Sequence, residues 1–346
     1  MKILALESSC DETSAAVVEK KDDSISVLSS VTATSLELHA ATGGIIPENA
    51  ARMQVKYVLP VVLEALRTAD NTKESFEFLK NDVDSIAVTY GPGLIGSLLV
   101  GVETAKTLAY VFDKPLIPVN HLLAHIYANF LPSIKHQSPV TNFPFIGLIV
   151  SGGHTDLLLF RSHGDYEWLG GTRDDAAGEA FDKIGRILGL PYPAGPEIER
   201  RASLVSKTDV RFKSPIIGED NFDFSFSGLK TQAARTISNE NAINRKRTDE
   251  ICFATQKAIL DVLVKKTLKA AEKYNCASIL VGGGVSANSA FREQLKTKGE
   301  DLGITIHFPE KQYSTDNGAM IGAYALINSD SKNWKEISAN PELYFA

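Results

Sequence analysis

Two histidines four residues apart, His121 and His125, stand in the string His-Leu-Leu-Ala-His. At helical spacing, residues i and i+4 share a face, with Cβ atoms about 5–6 Å apart. Two imidazoles so placed can share one metal ion. The same spacing also fits two polar side chains at a helix start, and spacing alone does not decide between these readings. A metalloprotease needs HExxH, with Glu as the base, and Leu122 stands in that place. The string Ser314-Thr315-Asp316-Asn317-Gly318-Ala319-Met320 supplies Asp316 as a third ligand, with a plain helix N-cap as the alternative. Two His and one carboxylate with open positions suit Fe(II) or Zn(II), and the ligand set does not choose between them.

Other strings could hold an anion. Glu7-Ser8-Ser9-Cys10-Asp11-Glu12-Thr13 reads as a tight turn between two strands, either a concave set of donors or a polar hairpin. Val150-Ser151-Gly152-Gly153-His154-Thr155 has two glycines that allow close approach of a ligand to the backbone. Gly282-Gly283-Gly284 leads from a strand through Val285-Ser286-Ala287-Asn288 into a helix, and a helix N-terminus suits a phosphate. Ser9, Glu12, Gly283 and Gly284 are the candidate phosphate or nucleotide contacts. No Walker A or GxGxxG string occurs. In Asp174–Lys183, Asp175, Glu179 and Asp182 share one helical face, either solvated or facing a ligand or cation. The alternation of Phe222-Asp223-Phe224-Ser225-Phe226 reads as a strand entering a turn, or its aromatics simply as core, and the nearby Arg245-Lys246-Arg247 as a solvated face or a nucleic-acid contact.

The elements that must position these residues alternate between strand and helix, an α/β pattern. They also repeat. Residues 3–18 and 145–160 share the form strand, polar turn, strand, at an offset of 142. Residues 84–109 and 277–295 share strand, glycine turn, helix, at an offset of 193. A third pair is Ile117-Pro118-Val119, leading into a helix near His121, and Ile304-Thr305-Ile306, leading to a helix near Asn317. The expectation is two duplicated lobes: 1–118, then 119–324 with an insert at about 195–250, and a tail at 325–346 packing back on the first lobe. If the halves face each other, both helix starts meet at one cleft.

The 346 residues suggest about two domains, and the hydrophobic (44%) and charged (23%) fractions are those of a globular chain rather than a disordered or collagen-like one. No run of about 20 apolar residues suggests a membrane span, and the short apolar start suggests no secretory leader, so a cytoplasmic location is expected. Cys10, Cys252 and Cys276 are too few and too scattered for a disulfide framework. A net charge of −6 argues against a uniformly basic nucleic-acid binder but leaves room for a local patch.

The strings ESSCDET, GPGLIGSLLVG, VSGGHT, DDAAGEAFDK, FSFSGLKT, GGGVSAN and STDNGAM, in this order from Met1 to about Gly322, resemble the tRNA N6-adenosine threonylcarbamoyltransferase family, TsaD type. The resemblance implies the actin-like/sugar-kinase/Hsp70 ATPase fold, two RNase-H-like lobes around a nucleotide cleft. It implies transfer of a threonylcarbamoyl group from threonylcarbamoyl-AMP to N6 of the adenosine 3′ of the anticodon, in tRNAs reading codons that begin with A. It places one divalent metal, Fe(II) ahead of Zn(II), on His121, His125 and Asp316, and substrate contacts on Ile149, Val150, Ser151, Gly152, Gly153, Asp182, Gly195 and Asn288. It implies two partners besides tRNA: a paralogous inactive TsaB-type subunit and a small P-loop ATPase of TsaE type. The chain departs from the pattern at Leu123, where Glu is common, at Gln54, where His is common, and at Ala194, where Gly is usual. The rival readings are a small-molecule kinase of the same fold and a non-catalytic scaffold.

Overall fold

A computed structural model describes residues 1–22, 24–42, 44–132, 142–238 and 244–345. The chain divides into two compact units, one of Met1–Val140 with Pro309–Ala346, the other of Thr141–Phe308.

The first unit is built on β1 (Lys2–Glu7), β2 (Glu12–Lys21), β3 (Ser24–Thr34), β4 (Ser85–Gly91) and β5 (Leu116–Asn120). Their order is β3-β2-β1-β4-β5, with β1 antiparallel to β2 and parallel to β4. Helices lie on both faces, so the central strands are apolar on both sides. On one face Leu4, Leu6, Ile86 and Val88 pack against α2 (Pro47–Ala69) and α4 (Ile95–Phe112) through Val58, Val62, Val102 and Ala105. On the other, Ile3, Ala5, Ala16 and Val119 pack against α5 (His121–Tyr127) and the last helix, α11 (Gly318–Asn328). The shorter α1 (Leu36–Thr42) and α3 (Ser75–Asp82) flank α2. By length and composition α4 could cross a membrane, but Leu98, Val102, Ala105 and Leu108 are buried within the unit.

The second unit repeats the plan with β6 (Phe145–Val150), β7 (Thr155–Ser162), β8 (Asp165–Gly171), β9 (Ser278–Gly282) and β10 (Thr305–His307), in the order β10-β9-β6-β7-β8. Strand for strand this is the first sheet again, and the paired strings of the sequence fall on β1 and β6, β4 and β9, β5 and β10. Between β8 and β9 come α6 (Ala177–Ile187), α7 (Gly195–Ala202), α8 (Ser227–Ser238) and α9 (Arg245–Lys273), and α10 (Ser289–Asp301) follows β9.

The division differs from the expected one, which put 119–324 in the second lobe. Both α5 and α11 belong to the first unit, because their small residues Ala124, Ala319 and Ala323 lie in the core under β1 and β2. The tail is anchored there too, with Lys332 N donating to Leu116 O (2.9 Å) and Asn340 N to Tyr90 O (2.7 Å).

The glycines of α11 let it ride close to the sheet. A Cβ on Gly318 would stand 2.8 Å from Ala16 N and 2.9 Å from Ala5 O, both backbone atoms. Gly318→Ala is therefore expected to cost about 1–3 kcal/mol in denaturant unfolding, as overpacking does. Gly152→Ala, whose Cβ meets nothing within 4 Å, should leave stability within about 0.5 kcal/mol of the parent. Equal stabilities for the two variants would refute the close approach of α11.

Candidate functional site

His121 is the first residue of α5, and the cap before it is Asn120, whose Oδ1 accepts from Leu122 N (2.9 Å) and Leu123 N (3.3 Å). This fixes the start of the helix that carries both histidines. Asp316 stands just ahead of α11, and the cap there is Asn317, with Oδ1 accepting from Met320 N (2.9 Å). The N-cap alternative for Asp316 is thereby removed, and its carboxylate is aimed at the histidines. His125 Nε2 lies 3.2 Å and His121 Nε2 3.6 Å from Asp316 Oδ1. One ligand-type atom from each of the three residues falls within 4.8 Å of the others. The whole cluster sits in the first unit.

Behind His121 stands Glu7, at the end of β1 and without solvent exposure. Its Oε2 meets His121 Nδ1 at 3.0 Å and accepts from Thr89 Oγ1 at 2.5 Å, while its Oε1 accepts from Ser9 N at 2.5 Å. Burial raises the Glu7 pKa, but the charge on His121 outweighs it and keeps the group below the ordinary carboxylate value. Burial likewise opposes charge on His121, and Glu7 and Asp316 together overcome it and hold the imidazole up to about 9. An ionised carboxylate can only accept, so Nδ1 carries the proton and Nε2 faces the cluster.

The β1–β2 turn is drawn in by Gln54 on α2. Its Nε2 reaches three carbonyls, those of Cys10 (2.9 Å), Glu12 (3.1 Å) and Ser8 (3.4 Å). Burial, then Asp316 and Asp11, push Glu12 up to about 10, so this carboxyl is neutral at physiological pH. Burial and the same acidic neighbours also raise the Cys10 thiol. Among the described residues, Ser9 Oγ, Gln54 Oε1 and both ring nitrogens of His125 are buried with no hydrogen bond. The site thus gathers carboxyl groups, two imidazoles and unsatisfied acceptors, and it favours positive charge at its centre. These are the properties of a divalent cation site, and the donor set fits one.

The remaining expected contacts lie in the second unit. Ile149 and Val150 end β6, their side chains buried, so only backbone is on offer. Ser151 N donates to His154 O (2.8 Å), closing a hairpin turn in which Gly152 and Gly153 face open space. The first turn of α6 abuts this turn, with Gly178 N donating to Ser151 O at 3.1 Å. Gly283 takes φ +91°, and a Cβ there would lie 2.4 Å from Val150 O. The glycine run does not open an α-helix directly. A 3-10 turn, Gly284–Ala287, intervenes, because Asn288 is the residue that caps α10. Both ends of Asn288 are engaged: Oδ1 accepts from Phe291 N and Nδ2 donates to Gln256 Oε1, each at 2.9 Å. Asp182 Oδ1 accepts from Ala194 N (2.7 Å) and so holds the turn ahead of Gly195. Asp175 lies ahead of α6 rather than on one helical face with Glu179 and Asp182, and Lys183 pairs with both Asp175 and Glu179. Phe222, Phe224 and Phe226 are core.

The sequence alone does not mark Glu7 as a partner of His121 or give Thr89 and Asn120 a part in positioning the site, and it marks Gln54 only as a departure from the family pattern. The one signal for Glu7 was a carboxylate ending an otherwise apolar strand.

HypF from T. kodakarensis matches 94% of this chain and 48% of its own, with 12% identity and a TM-score of 0.60. Full-length HypF in its phosphate- and nucleotide-bound form matches 94% and 55%, with 13% identity and a TM-score of 0.58. The chain spans about half the length of these proteins, and the likeness shows the fold alone, that of the actin-like/sugar-kinase/Hsp70 ATPase class. The family description "TsaD: tRNA N6-adenosine threonylcarbamoyltransferase" matches residues 26–323. The tRNA N6-adenosine threonylcarbamoyltransferase of Moorella thermoacetica is 44% identical over 339 residues, 98% of this chain and 95% of its own. That of Carboxydothermus hydrogenoformans is 45% identical over 323 residues, 93% and 90% respectively. The chain belongs to the tRNA N6-adenosine threonylcarbamoyltransferase family, whose members are acyltransferases.

Two strings of the second unit turn out to be one joint. Asp174 accepts from Phe226 N (2.7 Å), Ser227 N (3.2 Å), Ser225 Oγ (2.5 Å) and Ser227 Oγ (2.7 Å), and so anchors the start of α8. Partial burial raises its pKa, and these donors more than reverse that, leaving it lowered. A lowered folded-state pKa gives stability that is complete above the unfolded carboxylate value and is lost as pH falls through the folded one. Amide exchange of Leu229 and Ala233 should therefore accelerate as pH falls below about 4, once the intrinsic rate is corrected for. In Asp174→Asn that acceleration should be absent, and its persistence there would assign the effect elsewhere.

Proposed function

We propose that this chain transfers the threonylcarbamoyl group of threonylcarbamoyl-AMP to N6 of adenosine 37 in tRNAs reading codons that begin with A, and that it works in the cytoplasm. The observation that carries this reading is the convergence of His121, His125 and Asp316, backed by Glu7, in a chain of this family.

His121, His125 and Asp316 would hold one divalent ion, Fe(II) ahead of Zn(II), which would supply Lewis acidity for the carbamoyl carbonyl or a hold on the threonyl carboxylate. The protein's own part is placement. Glu7 holds His121 with Nε2 presented, and Asn120 and Asn317 fix the two helix starts that carry the three ligands. The open backbone at Gly152 and Gly153 suits the adenylate phosphate. The amine of the adenosine attacks the carbamoyl carbon, the bond to the phosphate oxygen breaks, AMP leaves with the electron pair, and the proton lost from N6 passes to the departing phosphate or to water. No side chain is assigned as general base, so positioning carries much of the rate.

The acceptor is tRNA. An exposed apolar stripe on α2, Val55, Leu59 and Leu63, with Ile95 and Leu99 on the α4 packed beside it, supports a protein partner of TsaB type, and a TsaE-type ATPase completes the set.

Nucleoside mass spectrometry of bulk tRNA from depleted cells tests the reading. Threonylcarbamoyladenosine should fall, and should return with the wild-type gene but not with a His121→Ala/Asp316→Ala pair. Unchanged modification under verified depletion would sink it. Metal content offers a second check on purified protein. His121→Ala should bind no stoichiometric divalent metal, and Glu7→Gln should bind it about 10–100-fold more weakly. Full loading of both variants would remove the metal role.

A further inference from the structure

Far along the chain from the residues used above, the second unit carries a groove where the segment after α7 meets the start of α9. It encloses 490 Å³ and is lined by Leu204, Val205, Lys207, Arg245, Lys246 and Asp249, among others. Its acids are already engaged. Asp249 is paired with Arg201 at 2.8 Å, and Glu250 with Arg247 at 2.8 Å. Arg247 also holds Asp209 at 2.8 Å. Lys207 and Arg245 have no carboxylate partner among the described residues. Lys246 is 86% exposed and reaches Glu250 only at 3.9 Å. Arg211 and Lys213, both exposed, continue the positive charge along the segment leading away from the groove. Over 203–213 and 244–250 there are six basic and three acidic side chains, in a chain whose net charge is −6.

The charge placement also runs against a local rule. The N-terminus of a helix carries partial positive charge and favours Asp or Glu in its first turn. The 29-residue α9 has none there, and begins with Arg245, Lys246 and Arg247 instead. Departures from local preference without a packing gain mark functional positions. Here two of the three cations stand in solvent, so packing offers no compensation.

We infer that this groove is a docking surface for the phosphate backbone of RNA. The inference rests on the transferase reading, which makes tRNA the substrate. An acidic chain repels a polyanion at long range, so binding needs a local face of the opposite sign. Lys207, Arg245 and Lys246 form such a face, and the groove between them admits a sugar-phosphate strand. Contacts of this kind position the RNA without reading its sequence.

Two assays on the full chain separate this inference from the reading beneath it. Fluorescence anisotropy with an unmodified tRNA transcript reads the groove, and threonylcarbamoyl transfer reads the reaction. In Lys207→Glu/Arg245→Glu/Lys246→Glu, the Kd for tRNA should rise about tenfold or more at about 0.15 M salt, and the slope of log Kd against log salt should flatten by about 2–3. The matching Gln triple should shift both in the same direction by less, and exposure of all three sites spares the fold. At saturating tRNA, kcat should be unchanged. Wild-type Kd and salt slope in both triples would overturn the inference and leave the groove to an acidic protein face. A wild-type chain that binds tRNA through the groove yet transfers nothing, with divalent metal and both the TsaB-type and TsaE-type partners present, would overturn the transferase reading alone.

Discussion

A carboxylate with no solvent exposure keeps its charge only if something of opposite sign stands against it. Glu7 is that carboxylate, and His121 is what stands against it. Around this pair the first unit is arranged. Thr89 on β4 and the amide of Ser9 complete the Glu7 oxygens, so β1, β4 and the β1–β2 turn are tied to one point. Gln54 then holds the far side of the same turn through its carbonyls. The helix start at His121 is fixed by Asn120, and the one near Asp316 by Asn317. Buried polar groups arranged this way either satisfy one another or call for a ligand of definite charge. Here the surplus is negative and the unsatisfied atoms are acceptors and imidazole nitrogens.

The duplication shows why the chemistry is one-sided. The two sheets have the same strand order and the same pairing directions. At the sequence offset of the first repeat, Glu7 corresponds to Ile149, and Ser9 to Ser151. The last residues of β6 therefore carry no carboxylate of their own; the buried acid there is Asp156, opposite Ile149 on β7, whose Oδ1 accepts from Trp168 Nε1 at 3.1 Å. The turn after β6 carries Gly152 and Gly153 in open space, where the first unit has Cys10 and Asp11 beneath Gln54. One copy of the turn became a charged cluster and the other a bare backbone surface. Duplicated scaffolds support such divergence because strand order is set by apolar burial, which the turn residues do not disturb.

Much of this was legible in the residues alone. Strand pairs were readable because apolar runs bounded by polar turns have few other uses, and the two offsets matched their order. His121, His125 and Asp316 were readable as residue types at suggestive positions. What was hidden depended on tertiary contact. Asp316 and Asn317 are both good caps by composition, and only backbone geometry shows that Asn317 takes the role. The small residues of α11 are compatible with either sheet, and its choice of the first unit follows from how closely Gly318 approaches Ala16. The 3-10 turn after Gly283 was hidden because a glycine run before a helix has the same composition whether or not an extra turn intervenes. Asp174 had no role legible in the string that it opens, because its partners lie about fifty residues away.

Exposure gives the cluster a direction. The side chain of His125 is 1% exposed, that of His121 9% and that of Asp316 22%. Glu7 closes the rear of His121, and Leu123, 2% exposed, belongs to the packed interior rather than to the polar rim. A cation held by these three residues would be enclosed on the imidazole side and approachable on the carboxylate side. Structural metal sites are closed on all sides, whereas catalytic ones keep a position for a further ligand. Three ligand-type side chains with the most exposed one at the rim would suit the second kind.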